Sequence, residues 1–432
     1  MLSILKSIQK LGKSMMMSSR KEPIIFVIGC TGTGKSDLGV AIAKKYDGEV
    51  ISVDSMQFYK GLDIATNKIT DEEAEGVPHH MMSFIDPSST AKYNVHNFRV
   101  ETLRLIDEIR SRSKIPILVG GTTYYAESIL YENNLIDTED DVKSENGETS
   151  DNSSCSENEE DVDVDNTQLW KELEKVDPES ARILHPNNRT RVQRALDIYR
   201  RTGRKKSELV REQKEEKDSD LGGKLRYENS LVVYMDATKE VLDERLDSRV
   251  DKMIRLGLKK ELTEFYDQHG EFIQTTSYGV MQCIGLKEFI PWLQLEEELR
   301  ETNDGLKLFQ QGCDDVKLHT RQYAKRQRRW YKSRLLKRSD GLRKLASTKM
   351  LDTSDKTRII SDGMAIVDQW MDGVDLFEDV PEDSQAEHGE DANIIIQCDM
   401  CNMTISGKQN WKDHLNGKKH KHHLRKQNAE KL

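Results

Sequence analysis

A chain of 432 residues that is 36% apolar and 33% charged has material for two or three domains, but too little apolar content to place every segment in a core. Its six scattered cysteines exclude a disulfide framework and point to a reducing compartment, and no apolar run approaches the roughly 20 residues that span a bilayer. The net charge of −10 argues against a polyanionic partner until it is mapped: residues 137–165 carry −12 and residues 371–392 carry −9, which leaves +11 on the remainder and suits such a partner.

Residues 1–21 contain Lys6, Lys10, Lys13, Arg20 and Lys21 and no acid, with Leu2, Ile4, Leu5, Ile8 and Leu11 on one helical face. A mitochondrial targeting segment and a basic tail are both consistent with this pattern, and Met15–Met17 offer a second start that omits most of it. Cytoplasmic and mitochondrial locations are expected, with the nucleus as a further compartment. After Pro23, the run IIFVIG predicts a buried strand, EVISVDS (49–55) a second, IPILVGG (115–121) a third and LVVYMDA (231–237) a fourth. A helix is expected over 97–112 between the second and third strands. Strands alternating with helices predict a parallel sheet with crossover helices.

Residues 137–167 are acidic, rich in Ser and Asn and nearly free of apolar groups, a composition that predicts disorder. Residues 170–215 are helical in pattern and basic, and 239–345 are mostly helical, ending in a basic run. The expected organisation is therefore a core of 22–130 and 227–345, a helical insertion of 131–226, an acidic linker of 371–392 and a small module of 393–432. The fold class is α/β: a P-loop NTPase-like parallel sheet with a helical insertion and a C-terminal two-Cys-two-His zinc finger.

GCTGTGKS, from Gly29 to Ser36, fits the G-x-x-x-x-G-K-S loop. Gly29, Gly32 and Gly34 let the backbone around Thr31 and Thr33 turn its N–H groups toward phosphate oxygens. The following helix adds its positive end, Lys35 a cation, and Ser36 a hydroxyl suited to Mg2+. Alone, this loop indicates binding of a di- or triphosphate and is compatible with a nucleotide kinase. Asp54 ends the second strand, at the edge where open α/β sheets face their ligands. Magnesium binding, proton acceptance and turn capping all remain open for it, and Ser55, Met56, Gln57 and Tyr59 follow within reach of a base.

The loop, ISVDSMQFYKGLDIATNK (51–68), PHH (78–80), ILVGGTTYY (117–125), HPNNRTRVQRAL (185–196), RLDSRVDKMIRLGL (245–258), IGLKE (284–288) and TRQYAKRQRRW (320–330) together resemble the tRNA dimethylallyltransferase family over residues 23–335. The resemblance implies that the loop holds dimethylallyl diphosphate between Thr31 and Asp37, that Arg249 binds the diphosphate, and that Thr122 lies near the reacting groups. It implies that Asp54 bonds the adenine amine and takes its proton. Asp54, Ser55, Met56 and Gln57, then Thr190, Arg191, Val192, Gln193 and Arg194, then Arg321, Lys325 and Arg326, match tRNA-contacting stretches, and Arg328 and Arg329 are expected to add phosphate contacts. Leu286 departs from an often aromatic family position, and Gln282 from one that is basic in some members.

At the C-terminal end, Cys398-x2-Cys401-x12-His414-x5-His420 has the spacing of a structural zinc site. A helix over 408–421 is expected to carry both histidines, with Trp411 filling a small core and His422 and His423 outside the ligand set. WKDHLNGKKHK resembles a matrin-type finger, a group associated with RNA. The expected activity is transfer of a dimethylallyl group to the adenine 3′-adjacent to the anticodon of tRNA, by a monomer. Prenylation of free adenine nucleotides, a P-loop kinase and a non-catalytic RNA scaffold are the alternatives.

Overall fold

The structure is a computed structural model that describes residues 20–89, 93–132, 135–136, 165–215, 224–276, 278–335, 346–377, 394–401 and 403–430. Residues 1–19 of the candidate targeting segment, nearly all of the acidic stretch 137–167 and most of the linker 371–392 lie outside the described residues. Two compact units emerge, one of residues 1–132 and 224–379 and the other of 133–223 and 380–432.

The first unit is built on a six-stranded sheet: β1 (Ile24–Gly29), β2 (Gly48–Ser52), β3 (His79–His80), β4 (Ile115–Gly120), β5 (Ser230–Asp236) and β6 (Ser347–Asp352). The order is β3-β2-β4-β1-β5-β6 and every pairing is parallel. The continuous apolar runs of the sequence follow from this arrangement, because a parallel sheet is covered on both faces. Along β1, Ile24, Phe26 and Ile28 enter one core with Phe98, Ile106 and Ile109 of the helix Val95–Ser111. Ile25 and Val27 enter the opposite core with Leu38, Ile42 and Ala43 of the helix Lys35–Tyr46. This alternation is the period-two geometry of a strand.

The four expected strands are present, the first with the expected ends and the others with ends shifted by at most three residues. Three further elements of this unit are absent from the sequence reading. β3 has only two residues, too short for a period to register, and residues 346–371 supply β6 and the helix Ile359–Met371. That helix packs closely on the phosphate-loop helix: a Cβ on Gly363 would stand 2.6 Å from Leu38 Cδ1. A third core joins Leu62 and Ala65 to the helices Lys239–Arg255 and Leu258–Thr275 and to Phe289 and Trp292. Leu286, the departure from the aromatic pattern, is fully buried there.

In the second unit, the helices Asn166–Val176, Pro178–Ile183 and Arg189–Thr202 bury Leu169, Leu173, Leu184, Val192 and Leu196. Trp170 Nε1 donates to the Leu184 carbonyl at 2.7 Å. The C-terminal module is an antiparallel hairpin of β7 (Ile395–Cys398) and β8 (Met403–Ser406) followed by the helices Lys408–Asn416 and Lys418–Glu430. The single helix expected over 408–421 is thus two helices, broken at Gly417, which adopts extended backbone angles. No helix among the described residues is long and apolar enough to cross a membrane.

Gly29 ends β1 at φ 149°, and a Cβ there would lie 2.1 Å from the Met235 carbonyl oxygen of β5. Gly29→Ala is expected to cost at least about 2 kcal/mol, through strain and displaced backbone, read as a lower denaturant midpoint of the full chain.

Candidate active site

The carboxyl ends of β1, β4 and β2 lie side by side in the sheet and carry, in that order, the phosphate loop, Thr122 and Asp54. Gly32 and Gly34 adopt φ values of 81° and 84°, which curl the loop and start the next helix at Lys35. Thr33 Oγ1 donates to the Cys30 carbonyl at 2.8 Å, and Lys35 Nζ to the same carbonyl at 2.6 Å. Ser36 and Asp37 are exposed on the first turn. Arg249, from the helix Lys239–Arg255, donates to Thr31 Oγ1 at 2.7 Å.

These groups keep some surface, but only toward a concavity walled by protein. Burial pushes the Lys35 ammonium down to about 8, with Cys30 and Asp54 opposing and Arg249 assisting. Burial raises the Asp54 carboxyl, against the Met56 N–H it accepts at 3.1 Å and the cations Lys35 and Arg249. Burial also lowers Arg249, which remains a cation. Its Nε is buried without a hydrogen-bond partner among the described residues. An unpaired guanidinium N–H in a desolvated site is the signature of an anionic ligand's place.

Two cavities meet here. One, of about 770 Å³, is lined by the loop from Thr31 to Asp37 and by Asp54, Gln57, Arg249 and Ile359. The other, of about 530 Å³, is lined by Thr31, Asp54, Ser55, Met56, Arg249, Gln282, Tyr323 and Arg326. Thr31, Asp54 and Arg249 belong to both. Thr122 Oγ1 accepts the Ser55 N–H at 3.3 Å and lies beside the Tyr323 hydroxyl.

Comparisons with known proteins agree with this geometry. A family model described as IPP transferase matches residues 57–334, and one described as a zinc-finger of C2H2 type matches residues 396–420. The tRNA dimethylallyltransferase of Mus musculus is 36% identical over 418 residues, 94% of this chain and 87% of its own. That of Saccharomyces cerevisiae is 34% identical over 425 residues, 93% and 92% of the two chains. A solved eukaryotic dimethylallyltransferase acting on tRNA matches with a TM-score of 0.75 at 32% identity, covering 95% of this chain and 98% of that one.

The chain belongs to the tRNA dimethylallyltransferase family. As a tRNA dimethylallyltransferase it transfers a prenyl group to tRNA, and its expected site residues fall into separate groups. The loop residues, Asp54, Thr122 and Arg249 converge as described. Gln57 lines the first cavity, but its amide holds the loop it sits on: Oε1 accepts the Ser52 hydroxyl at 2.8 Å, and Nε2 reaches the carbonyls of Thr66 and Asn67, each at 3.3 Å. On the helix Asn303–Trp330, Lys325 and Arg326 are exposed, while Arg321 pairs with Asp247. Arg328, expected to contact phosphate, instead grips Asp236 through two hydrogen bonds of 2.6 and 2.7 Å. A carboxylate at the end of β5 has captured it.

Thr190, Arg191, Val192, Gln193 and Arg194 belong to the second unit. Thr190 and Arg191 are exposed. Val192 is fully buried in the helical core, so its side chain supports the basic face without joining it. Arg194 reaches the Ile136 carbonyl at 3.4 Å. In the finger, the ligand atoms of Cys398, Cys401, His414 and His420 all lie within 4.8 Å of one another. Trp411 is half-buried and stacks on His414 with ring centroids 5.7 Å apart, while Cys398, Ile405 and Gly407 are buried. Two participants were not singled out from the sequence, Tyr323 and Gln327. They are four residues apart on one helical face, a spacing masked by the denser basic pattern of Arg321 and Lys325.

Lys35 is a cation below about pH 8 and neutral above it. The affinity for a non-reactive thio-analogue of dimethylallyl diphosphate, fully ionised above neutral pH, should therefore be level to about pH 8 and fall about tenfold per further pH unit. In Lys35→Arg the fall should vanish. Titration calorimetry across this range measures both.

Proposed function

We propose that the allylic carbon of dimethylallyl diphosphate is joined to the exocyclic amine of the adenine 3′-adjacent to the anticodon, where the two cavities meet. The observation that carries this reading is the sharing of Asp54, Thr31 and Arg249 by the phosphate-loop cavity and the cavity beside Tyr323 and Arg326. A diphosphate seated on the loop and a base extruded into the second cavity would meet at Asp54, as chemistry on a stacked base requires. As the carbon–nitrogen bond forms, the carbon–oxygen bond breaks and its electron pair leaves with diphosphate. The amine proton passes to Asp54, whose raised basicity favours accepting it. Loop N–H groups, Lys35 and Arg249 hold the growing charge on the leaving group, and Arg249 Nε supplies a donor otherwise unpaired. The products are N6-isopentenyladenosine in tRNA and diphosphate.

Ser36 lines the cavity, and its hydroxyl would hold Mg2+, a hard cation that takes oxygen ligands. Bound there, magnesium would neutralise diphosphate charge. Cys398 and Cys401 with His414 and His420 bring two sulfur and two nitrogen donors together, the set that would hold a structural Zn2+. Structural zinc contributes about 10–16 kcal/mol to finger peptides, far more than so small a core can. In the first unit Lys325 and Arg326, and in the second Thr190, Arg191, Arg194 and the lysines of the finger, would contact tRNA phosphates, positioning the RNA without reading its sequence.

The test is product formation from dimethylallyl diphosphate and magnesium, with an anticodon stem-loop or AMP as acceptor. A prenylated adenosine in the RNA alone supports this reading, whereas product on AMP alone transfers the function to free nucleotides. Asp54→Ala should lower kcat by about 10²–10⁴-fold and leave the tRNA dissociation constant within a few-fold. Activity within a few-fold of the parent would remove Asp54 as the base. Cys401→Ala should weaken tRNA binding and flatten its salt dependence, with kcat kept at saturating tRNA. An unchanged affinity at physiological salt would take the finger out of tRNA recognition.

A further inference from the structure

The sheet ladder stops short of the site. Its last rungs pair Ile28 with Gly120 and Ser52 with Val119. Beyond them, the loops bearing Thr31, Thr122 and Asp54 have no ladder between them, yet transfer needs these groups aligned within a fraction of an ångström. Two bridges cross the gaps. Between β4 and β2, Thr122 N–H donates to the Val53 carbonyl at 3.0 Å, and Ser55 N–H to Thr122 Oγ1. Between β1 and β4 the bridge is a side chain. Gln327 Oε1 accepts the Thr31 N–H at 3.0 Å, and its Nε2 donates to the Gly121 carbonyl at 2.9 Å.

We propose that Gln327 is a positioning residue of the transfer reaction, a peptide-like rung that fixes the diphosphate loop against the Thr122 loop and so against Asp54. A primary amide has the donor and acceptor of a peptide group, and here it stands where the next backbone pair would be. Gln327 is 4% exposed, so neither bond competes with bulk water. Gly121 leaves it room: a Cβ there would stand 2.3 Å from Nε2. Tyr323, one turn earlier, sits beside both Gln327 and Thr122. Thr31 is thus held twice, by Gln327 at its N–H and by Arg249 at its hydroxyl. The inference rests on the Asp54 cavities being the place of transfer.

Two variants of the full chain test it. Gln327→Met keeps the shape and loses both bonds, and should lower kcat about 10- to 100-fold with KM for either substrate within about threefold. Gln327→Glu keeps the acceptor for Thr31, but faces Gly121 with an oxygen that can donate only when protonated. Its kcat relative to wild type should therefore rise as pH falls from 8 to 6. A residue that merely fills space would give kcat within twofold for Gln327→Met below its melting temperature, and a pH-independent ratio for Gln327→Glu. Either result overturns the proposal. Should the Met variant melt below assay temperature, the Glu ratio decides alone. Failure of the underlying reading is separate: it appears as full activity in Asp54→Ala.

Discussion

Two cations and one carboxylate held together in a protein-walled concavity are the constraint on which the rest of this structure depends. Lys35, Arg249 and Asp54 are each shifted by burial toward their neutral forms, so each relies on the others and on a ligand. Their sum is positive, and an Arg249 N–H is buried without a partner among the described residues, which favours an anion there. Maintaining such a set requires a rigid frame. The doubly covered parallel sheet supplies it, with β1, β4 and β2 ending side by side.

The same constraint explains the shape of the site. A diphosphate and a nucleobase have opposite demands, one for cations and loop N–H groups, the other for a shaped and partly apolar pocket. Two cavities that share Thr31, Asp54 and Arg249 would meet both demands under the proposed reading. Ile359, from the segment after the basic helix, contributes to the wall of the phosphate side, and its helix packs against the one that starts at Lys35. The phosphate loop is therefore braced from two directions, by that helix and by the helix Asn303–Trp330.

The second unit follows different physics. Its helices bury a modest core and leave Arg191 exposed. The small hairpin and helices at the C-terminal end bury few residues, Cys398 and Ile405 among them, so a metal must supply what packing does not. His185, next to the helical core, uses Nε2 to donate to the Thr404 carbonyl at 3.1 Å, and Nδ1 to accept the Asn187 N–H at 3.1 Å. This tautomer joins the two parts of the unit.

Local pattern was enough to recognise four strands, the phosphate loop, Asp54 and the two-Cys-two-His set, because each depends on residue type at short spacing. The motifs of 51–68 and 320–330 carried the family. The sequence by itself thus determined the class of fold, the chemistry at the loop and the zinc-type ligands. Only the tertiary structure decided which basic residues are free to act, with Arg328 committed to Asp236 and Val192 buried. It also decided that residues 346–371 complete the sheet, that the finger helix breaks at Gly417, and that Gln327 reaches from residue 327 to residues 31 and 121. These outcomes are pairings between distant positions. Periodicity and spacing encode what a segment can become, whereas the partner that captures a given charge or amide is chosen when the chain packs.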